Sequence, residues 1–180
     1  MQITALARDM GITRGSFYWH FKNRDDLLGA IVDEWRLRNT GVMLRALQDA
    51  HDLDRGLLSL FTVWIDHRHF DPALDQAMRM WAHTSAEIKT HVDSEDNARI
   101  QAITAFLHRF GFDHPEALIR ARVIYLTQIS FDMLGFGDTA ENRPGYLPAY
   151  FKCFIGRAPD PAAADEYLKR YDAMLDKKAP

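Results

Sequence analysis

Hydrogen-bond donors and cations are concentrated near the start of the sequence. Residues 1–24 carry a net charge of +3, whereas the rest of the chain carries −6. Arginine and lysine bind phosphate oxygens, and arginine, serine and threonine also reach base edges in the major groove. Positive charge confined to one short segment therefore fits contact with nucleic acid. The polar or flat side chains of this segment are Thr13, Arg14, Ser16, Tyr18, Trp19, His20, Lys22 and Arg24.

Two short helices are predicted to position these side chains. The apolar spacing of the first predicts a helix from Ile3 to Met10, which Gly11 ends by adopting a left-handed conformation. Thr13 is a good N-cap for a second helix from Arg14 to Phe21. Two helices joined by a short turn that contains glycine are typical of the DNA-reading helix-turn-helix.

The order of residues in this stretch resembles the TetR family of bacterial transcriptional regulators. The family pattern has Gly-Val/Ile-Ser/Thr, then Gly-Ser/Thr-Phe/Leu-Tyr-x-His-Phe, then a basic and an acidic residue before leucine. An amphipathic hairpin with an aromatic core is the alternative, but it does not require this order. The matching residues are Ile3, Leu6, Ala7, Gly11, Ile12, Thr13, Gly15, Ser16, Phe17, Tyr18, His20, Phe21, Arg24, Asp25, Leu27 and Leu28.

The resemblance implies a DNA-binding role for each polar residue of the second helix. Arg14 and Ser16 are expected to contact bases, with Thr13 as a third candidate. Gly15 is expected to keep the helix thin where it enters the major groove. Phe17 and Phe21 are expected to pack into the small core. The residues expected to hold phosphates are Tyr18, His20, Lys22 and Arg24.

A head of this family has three helices, and the sequence begins within the second. A start codon assigned too far downstream or a truncated sequence is the preferred explanation, and a natural variant is the alternative. Two functions follow. One is a ligand-responsive transcriptional regulator, a homodimeric repressor that binds a palindromic operator. The other is a ligand-binding or interaction dimer that has lost DNA binding with its first helix.

The remaining sequence predicts helices and no strand, so the fold class is all-α. Residues 1–45 are predicted to form the DNA-binding head with its connecting helix, and residues 46–180 a helical ligand-binding and dimerisation domain. Periodicity and capping residues, among them Asn23, Asp71 and Ser85, predict further helices. They lie at about 24–50, 54–70, 72–83, 85–110, 115–134, 147–155 and 160–177.

The helix at about 115–134 is apolar on nearly every side beyond Arg122. A helix of this kind is covered on most of its faces. The resemblance implies that it and the helix at about 147–155 form the homodimer interface. The alternative is that both lie in the core of the monomer.

A one-component sensor also needs a cavity with an apolar lining and a few polar groups. Tyr125, Gln128 and Asp132 share one face of a helix because they are three and four residues apart. A buried carboxylate is unfavourable without a partner, so Asp132 is the leading candidate for ligand contact. It could instead reach solvent, and the aromatic and methionine residues could be ordinary core. The candidate ligand-binding residues are Trp64, Met78, Trp81, Phe106, Tyr125, Gln128 and Asp132.

Several other classes lack support in the sequence. Cys153 is the single cysteine, which predicts a reducing cytoplasm and no disulfide framework. No run approaches 18 apolar residues, so no membrane segment is expected. Histidine spacings offer no metal site, and phosphate loops and nucleophile elbows are absent from the sequence. We therefore expect no cofactor, no metal and no catalytic residue, with double-stranded DNA and a small effector as partners.

Overall fold

The computed structural model describes residues 3–9, 11–134 and 142–176. Its regular structure within these ranges is helical and contains no strand, which confirms the all-α prediction. The elements are α1 (Ile3–Asp9), α2 (Arg14–His20), α3 (Arg24–Trp35), a π-helical segment (Arg36–Gly41), α4 (Val42–Gln48), α5 (Leu53–Ile65), α6 (Pro72–Ala82), α7 (Ala86–Arg109), α8 (His114–Leu134), α9 (Arg143–Ile155) and α10 (Pro161–Asp176).

Side-chain caps set the beginning of several helices. Thr13 accepts a hydrogen bond from the backbone N–H of Ser16 at 3.0 Å, and Asn23 accepts one from Asp26 at 2.8 Å. Each bond satisfies an N–H that has no partner within its helix. The predicted caps Thr13, Asn23, Asp71 and Ser85 are confirmed, and Asp52 is a cap that the sequence analysis missed.

Two predicted boundaries are wrong. Helix α5 ends at Ile65 because Asp66 leaves helical geometry, and the following turn is closed by bonds from the N–H groups of His69 and Phe70 to its carbonyl. Helix α9 begins at Arg143, four residues earlier than predicted, with a proline in its first turn. The predicted ends at Met10 and Lys177 lie outside the described residues.

The predicted connecting helix at 24–50 also differs from the structure. It is not one α-helix: α3 leads into the π-helical segment, and α4 ends at Gln48. Met43 and Leu47 of α4 belong to the core of the body. The last turns of the connecting helix therefore pack inside the body of the protein.

Two apolar clusters hold the helices together. The larger contains residues of α4, α5, α7, α8, α9 and α10. The smaller forms where α3 packs on α6 and α7. It ties the connecting helix to the body, and its buried members are Val32, Trp35, Met78, Ile88 and Val92.

Arginine side chains satisfy backbone carbonyls at two helix ends. Arg109 Nη2 donates to the carbonyls of Leu47 and Ala50 at 2.7 and 3.0 Å. Arg120 Nη1 donates to the carbonyl of Phe154 at 2.6 Å. Carbonyls at helix ends have no partner within the helix, so these long-range contacts fix how α4 and α9 end against the bundle.

Gly56 is predicted to be intolerant of any side chain. A Cβ at this position would overlap the Phe106 ring and lie 2.8 Å from Ala50 Cβ. Gly56→Ala should lower the free energy of unfolding by about 1–3 kcal/mol in urea denaturation. Gly29→Ala is the matched control, since nothing lies within 4 Å of its Cβ position in α3. It should stabilise the protein by about 0.5–1 kcal/mol. Equal stability of the two variants would contradict this packing.

Candidate nucleic-acid interface and ligand cavity

The two short N-terminal helices are joined by a tight turn. Gly11 has φ +66°, where glycine is favoured, and the N–H of Ile12 donates to the carbonyl of Ala7 at 2.9 Å. Phe17 is only 2% exposed, and its ring centroid lies 5.6 Å from that of half-buried Phe21. One face of α2 is thereby anchored, which leaves the opposite face to solvent.

The solvent face of α2 carries a continuous set of polar and aromatic side chains. The guanidinium of Arg14 lies 5.9 Å from the centroid of the Tyr18 ring. Trp19 is 83% exposed, and its ring packs edge-on against His20 with centroids 4.7 Å apart. Sequence analysis gave Trp19 no role, although its position two residues after buried Phe17 directs it away from the core.

A reciprocal cap fixes the chain just after α2. The N–H of Lys22 donates to Asp26 Oδ2 at 2.9 Å, while Asn23 caps the N–H of Asp26. Lys22 and Arg24 are consequently held beside the end of α2 with exposed side chains. Among the described residues, Arg14 and Lys22 make no ion pair, and Arg24 has Asp25 at 4.0 Å. These cations are available for phosphate groups.

A buried cluster of charged groups joins the connecting helix to the body. Arg99, only 1% exposed, donates from Nε to Thr40 Oγ1 at 2.9 Å. Its Nη1 donates to Asp75 Oδ1 at 2.8 Å and to the Tyr125 hydroxyl at 3.0 Å. Trp35 Nε1 also donates to Asp75 Oδ1, at 2.8 Å. We call this group, together with Arg79 and Asp96, the charge cluster.

Arg79 completes the charge cluster from α6. It donates to Asp75 Oδ2 at 2.9 Å and to both carboxylate oxygens of Asp96 at 2.8 and 2.7 Å. The Tyr125 hydroxyl donates to Asp96 Oδ1 at 2.6 Å. Two guanidinium groups thus face two carboxylates, which leaves the cluster neutral. Burial alone would raise the pKa of Asp75, but the charges of Arg99 and Arg79 outweigh it and hold that pKa below its ordinary value.

A cavity lies between α5, α8, α9 and α10, with an empty volume of about 610 Å³ that includes its open mouth. Its walls are mainly aromatic and aliphatic, and a few polar groups are set among them. Such a lining suits an organic ligand. The lining residues are Phe61, Trp64, Ile65, Ile124, Thr127, Gln128, Phe131, Arg143, Pro144, Leu147, Tyr150, Phe154, Tyr167 and Tyr171.

Residues 1–31 match the family model described as bacterial regulatory proteins, tetR family. Over these residues the chain is similar to the DNA-binding region of that family. Comparison with curated proteins gave no match, and comparison with solved structures gave none either. The match supports a DNA-binding transcriptional regulator with an N-terminal helix-turn-helix. Regulators of the family are generally non-enzymatic.

The structure brings all eight predicted DNA-binding residues together on α2 or at its two ends, where all are exposed. Their roles in DNA binding stay predictions. Thr13 Oγ1 accepts the capping bond of α2, so it has a local structural role beside any contact with DNA.

The predicted ligand-binding residues are not brought together in the same way. Trp64 and Gln128 line the cavity, but the other five do not. Met78 and Trp81 belong to the small cluster under α3, and Phe106 packs in the main core. Tyr125 turns its hydroxyl into the charge cluster.

Asp132, the leading candidate of the sequence analysis, lies beside the cavity and does not line it. It accepts a hydrogen bond from Gln128 Nε2 at 3.0 Å. Burial is the main cause that raises its pKa. The expected face of Tyr125, Gln128 and Asp132 is therefore divided between the charge cluster and the rim of the cavity. Helical spacing could not show which neighbouring helix each residue meets.

The part of the chain that the structure describes lacks two further features. Its histidine, cysteine and acidic side chains form no group of three placed to hold a metal ion. None of its helices combines the length and apolar character needed to cross a membrane.

Removal of the Asp75 carboxylate is expected to destabilise the protein strongly. Asp75→Asn leaves Arg99 buried with one charged partner fewer, so the free energy of unfolding should fall by about 3–5 kcal/mol in urea denaturation near neutral pH. The matched control is Asp93→Asn, which removes an exposed ion pair with Lys89 at 2.6 Å. Its effect should stay below about 1 kcal/mol.

The stabilities of wild type and Asp75→Asn should also depend differently on pH. The pKa of Asp75 in the folded protein lies below its ordinary value of 3.8. Its contribution to stability is therefore complete above that value and is lost as pH falls through the folded pKa. Denaturation across acidic pH should show the gap between wild type and Asp75→Asn narrowing only below pH 3.8. A gap that closes well above this value would count against the charge cluster.

Proposed function

We propose that this protein is a TetR-family regulator, a cytoplasmic homodimeric repressor that binds a palindromic operator and is released by a small organic effector. The observation that carries the proposal is the position of α8. Its residues Ile124 and Gln128 line the cavity, while Tyr125 belongs to the charge cluster that holds the connecting helix. An effector in the cavity would thus contact the helix that is linked to the DNA-binding head.

The link runs through a short series of hydrogen bonds. Tyr125 accepts from Arg99, and Arg99 in turn donates to Thr40 in the π-helical segment. A ligand changes a conformational equilibrium only when it binds one state better than the other. An effector that favours a displaced α8 would move Tyr125 and act on the connecting helix. The consequence would be a changed distance between the two heads of the dimer.

Exposure and charge support the proposed DNA contacts of the head. Arg14 and Ser16 would contact bases, with Thr13 beside them, and Gly15 would allow the helix to approach closely. Tyr18, His20, Lys22 and Arg24 would bind phosphates. The exposed ring of Trp19 adds an apolar surface that could meet thymine methyl groups.

An exposed apolar stripe on α8 supports the proposed homodimer. Ile119, Val123, Leu126 and Leu134 are between 44% and 64% exposed, and their spacing places them along one side of the helix. Tyr146 of α9 is also exposed. Burial of these side chains against a second copy would remove a large apolar patch from water. In this proposal residues 1–45 form the head and connection, and residues 46–180 form the effector-binding and dimerisation domain.

The proposed interface predicts that Leu126→Glu dissociates the dimer. Burial of an unpaired carboxylate opposite its symmetry mate is unfavourable, so the dimer dissociation constant should rise at least about a hundredfold. Analytical ultracentrifugation measures this. Met80→Glu is the control, because Met80 is 57% exposed on α6 and lies outside the stripe. Dimers that persist in Leu126→Glu would place the interface elsewhere.

The proposed DNA contacts predict different effects for two variants. Arg14→Ala should weaken binding to the preferred site by about 1–3 kcal/mol and relax base preference. Tyr18→Phe should weaken binding to all sequences about equally, since a phosphate contact carries no sequence information. Fluorescence anisotropy with DNA that flanks the gene, at two salt concentrations, measures both.

Arg170→Ala is the control for loss of an exposed arginine, since Arg170 pairs with Glu166 on α10. Wild-type affinity should fall steeply as salt is raised. Unchanged selectivity in Arg14→Ala would remove Arg14 from base readout. A stable dimer that binds none of these sequences would favour the alternative, a ligand-binding or interaction dimer without DNA binding.

A further inference from the structure

The apolar wall of the cavity is built from paired aromatic rings. Phe61 and Trp64 stack with centroids 5.9 Å apart, and Tyr150 and Phe154 stack at 5.8 Å. The Phe61 and Phe154 rings meet edge-on at 6.0 Å, which joins the two pairs. Flat, rigid walls of this kind favour an aromatic or otherwise compact apolar body in the ligand.

One cation stands at the edge of this apolar wall. Arg143 is half-buried at the start of α9 and is the charged residue among the described lining residues. Among the described residues it makes no hydrogen bond or ion pair. The other half-buried or buried arginines of the body differ from Arg143, because each pairs with a carboxylate or donates to a backbone carbonyl. These partnered arginines are Arg36, Arg38, Arg79, Arg99 and Arg120.

Two hydroxyl groups lie within the electrostatic reach of Arg143. Burial raises the pKa of Tyr167 and of Tyr171, and the positive charge of Arg143 opposes that rise in both. The Tyr167 hydroxyl donates no hydrogen bond to any described residue. A guanidinium and a phenolic hydroxyl therefore offer donors at the same end of the cavity.

We propose that the effector is a small organic monoanion, with an aromatic or compact apolar body against the paired rings and a carboxylate or sulfonate on Arg143. This inference rests on the proposed function, since it names the ligand class of the same cavity. The planar guanidinium presents two parallel donors that match the two oxygens of the anion. Tyr167 supplies a third donor. Placing the anion here gives the half-buried Arg143 a directly bonded partner, which no described residue supplies.

Asp132 is the nearby charge that opposes this assignment. It would favour a cationic ligand if it lined the cavity, but its Oδ2 is engaged by Gln128 Nε2. No salt bridge joins it to Arg143, although the charge of Arg143 opposes the rise of its pKa, and the lining residues include the arginine and not the aspartate. The charged side chain that lines the cavity is thus a cation, which favours an anionic ligand.

Two dyes that differ chiefly in one sulfonate provide the test. Anilinonaphthalene sulfonate is anionic, and phenylnaphthylamine has the same rings without the charge. Energy transfer from Trp64, checked by its loss in Trp64→Phe, reports binding in the cavity rather than on the exposed stripe. Arg143→Gln should weaken the anionic dye about tenfold and leave the neutral dye within about twofold. Arg143→Lys should give an intermediate loss for the anionic dye.

Arg122→Gln is the matched control, because it removes an exposed arginine of α8 that lies outside the cavity. Thermal unfolding verifies that each variant is folded. Equal losses for both dyes, or none for either, would overturn the anion proposal and leave the effector cavity in place. Tighter binding of a cationic dye that depends on Asp132→Asn would also overturn it. Absence of transfer from Trp64 to either dye would instead overturn the proposed effector cavity.

Discussion

The charge cluster around Arg99 is the constraint on which the arrangement of the other helices depends. A buried guanidinium without carboxylate partners is strongly unfavourable, so Asp75 must stay within hydrogen-bond distance of it. Asp75 also accepts from Trp35 and Arg79, which come from the connecting helix and from α6. A few polar bonds thus determine the positions of the connecting helix, α6, α7 and α8. The apolar clusters fill the space around these bonds.

The π-helical segment follows from the same constraint. Trp35 and Thr40 both reach the charge cluster, although residues five apart on an α-helix point about 140° away from each other. The wider turn of a π-helix reduces this angle, so both side chains can face the body. Asn39 in the same segment donates to the carbonyl of Asp71 at 2.8 Å. The backbone is irregular here because Trp35 and Thr40 must both face the charge cluster.

The features that the sequence predicted are the ones that depend on near neighbours. Thr13 and Asn23 cap helices through residues three positions away, and Gly11 needs only its own backbone freedom. The polar run at 93–97 is different, because its sequence alone does not show what it contacts. In the structure Glu95 binds Arg36 and Asp96 binds Arg79, residues distant in sequence.

The same dependence on distant residues limits how far the sequence predicts the lining of the cavity. Trp64 and Gln128 line the cavity, whereas Met78 and Trp81 have the same character on a helix face and pack under α3. Arg143 was missed because it precedes the predicted start of α9, so no helix face was assigned to it. Nothing in its sequence position shows that α10 will bring Tyr167 to the same end of the cavity.

Three consecutive residues of α8 face three different surfaces, and this limits how the helix can move when a ligand binds. Ile124 faces the cavity, Tyr125 faces the charge cluster, and Leu126 lies on the exposed stripe. Consecutive residues on a helix differ by about 100°, so a rotation that suits one surface disturbs the other two. In the proposed function, a ligand that shifts α8 would therefore act on the connecting helix and on the dimer interface together, since neither contact can be adjusted alone.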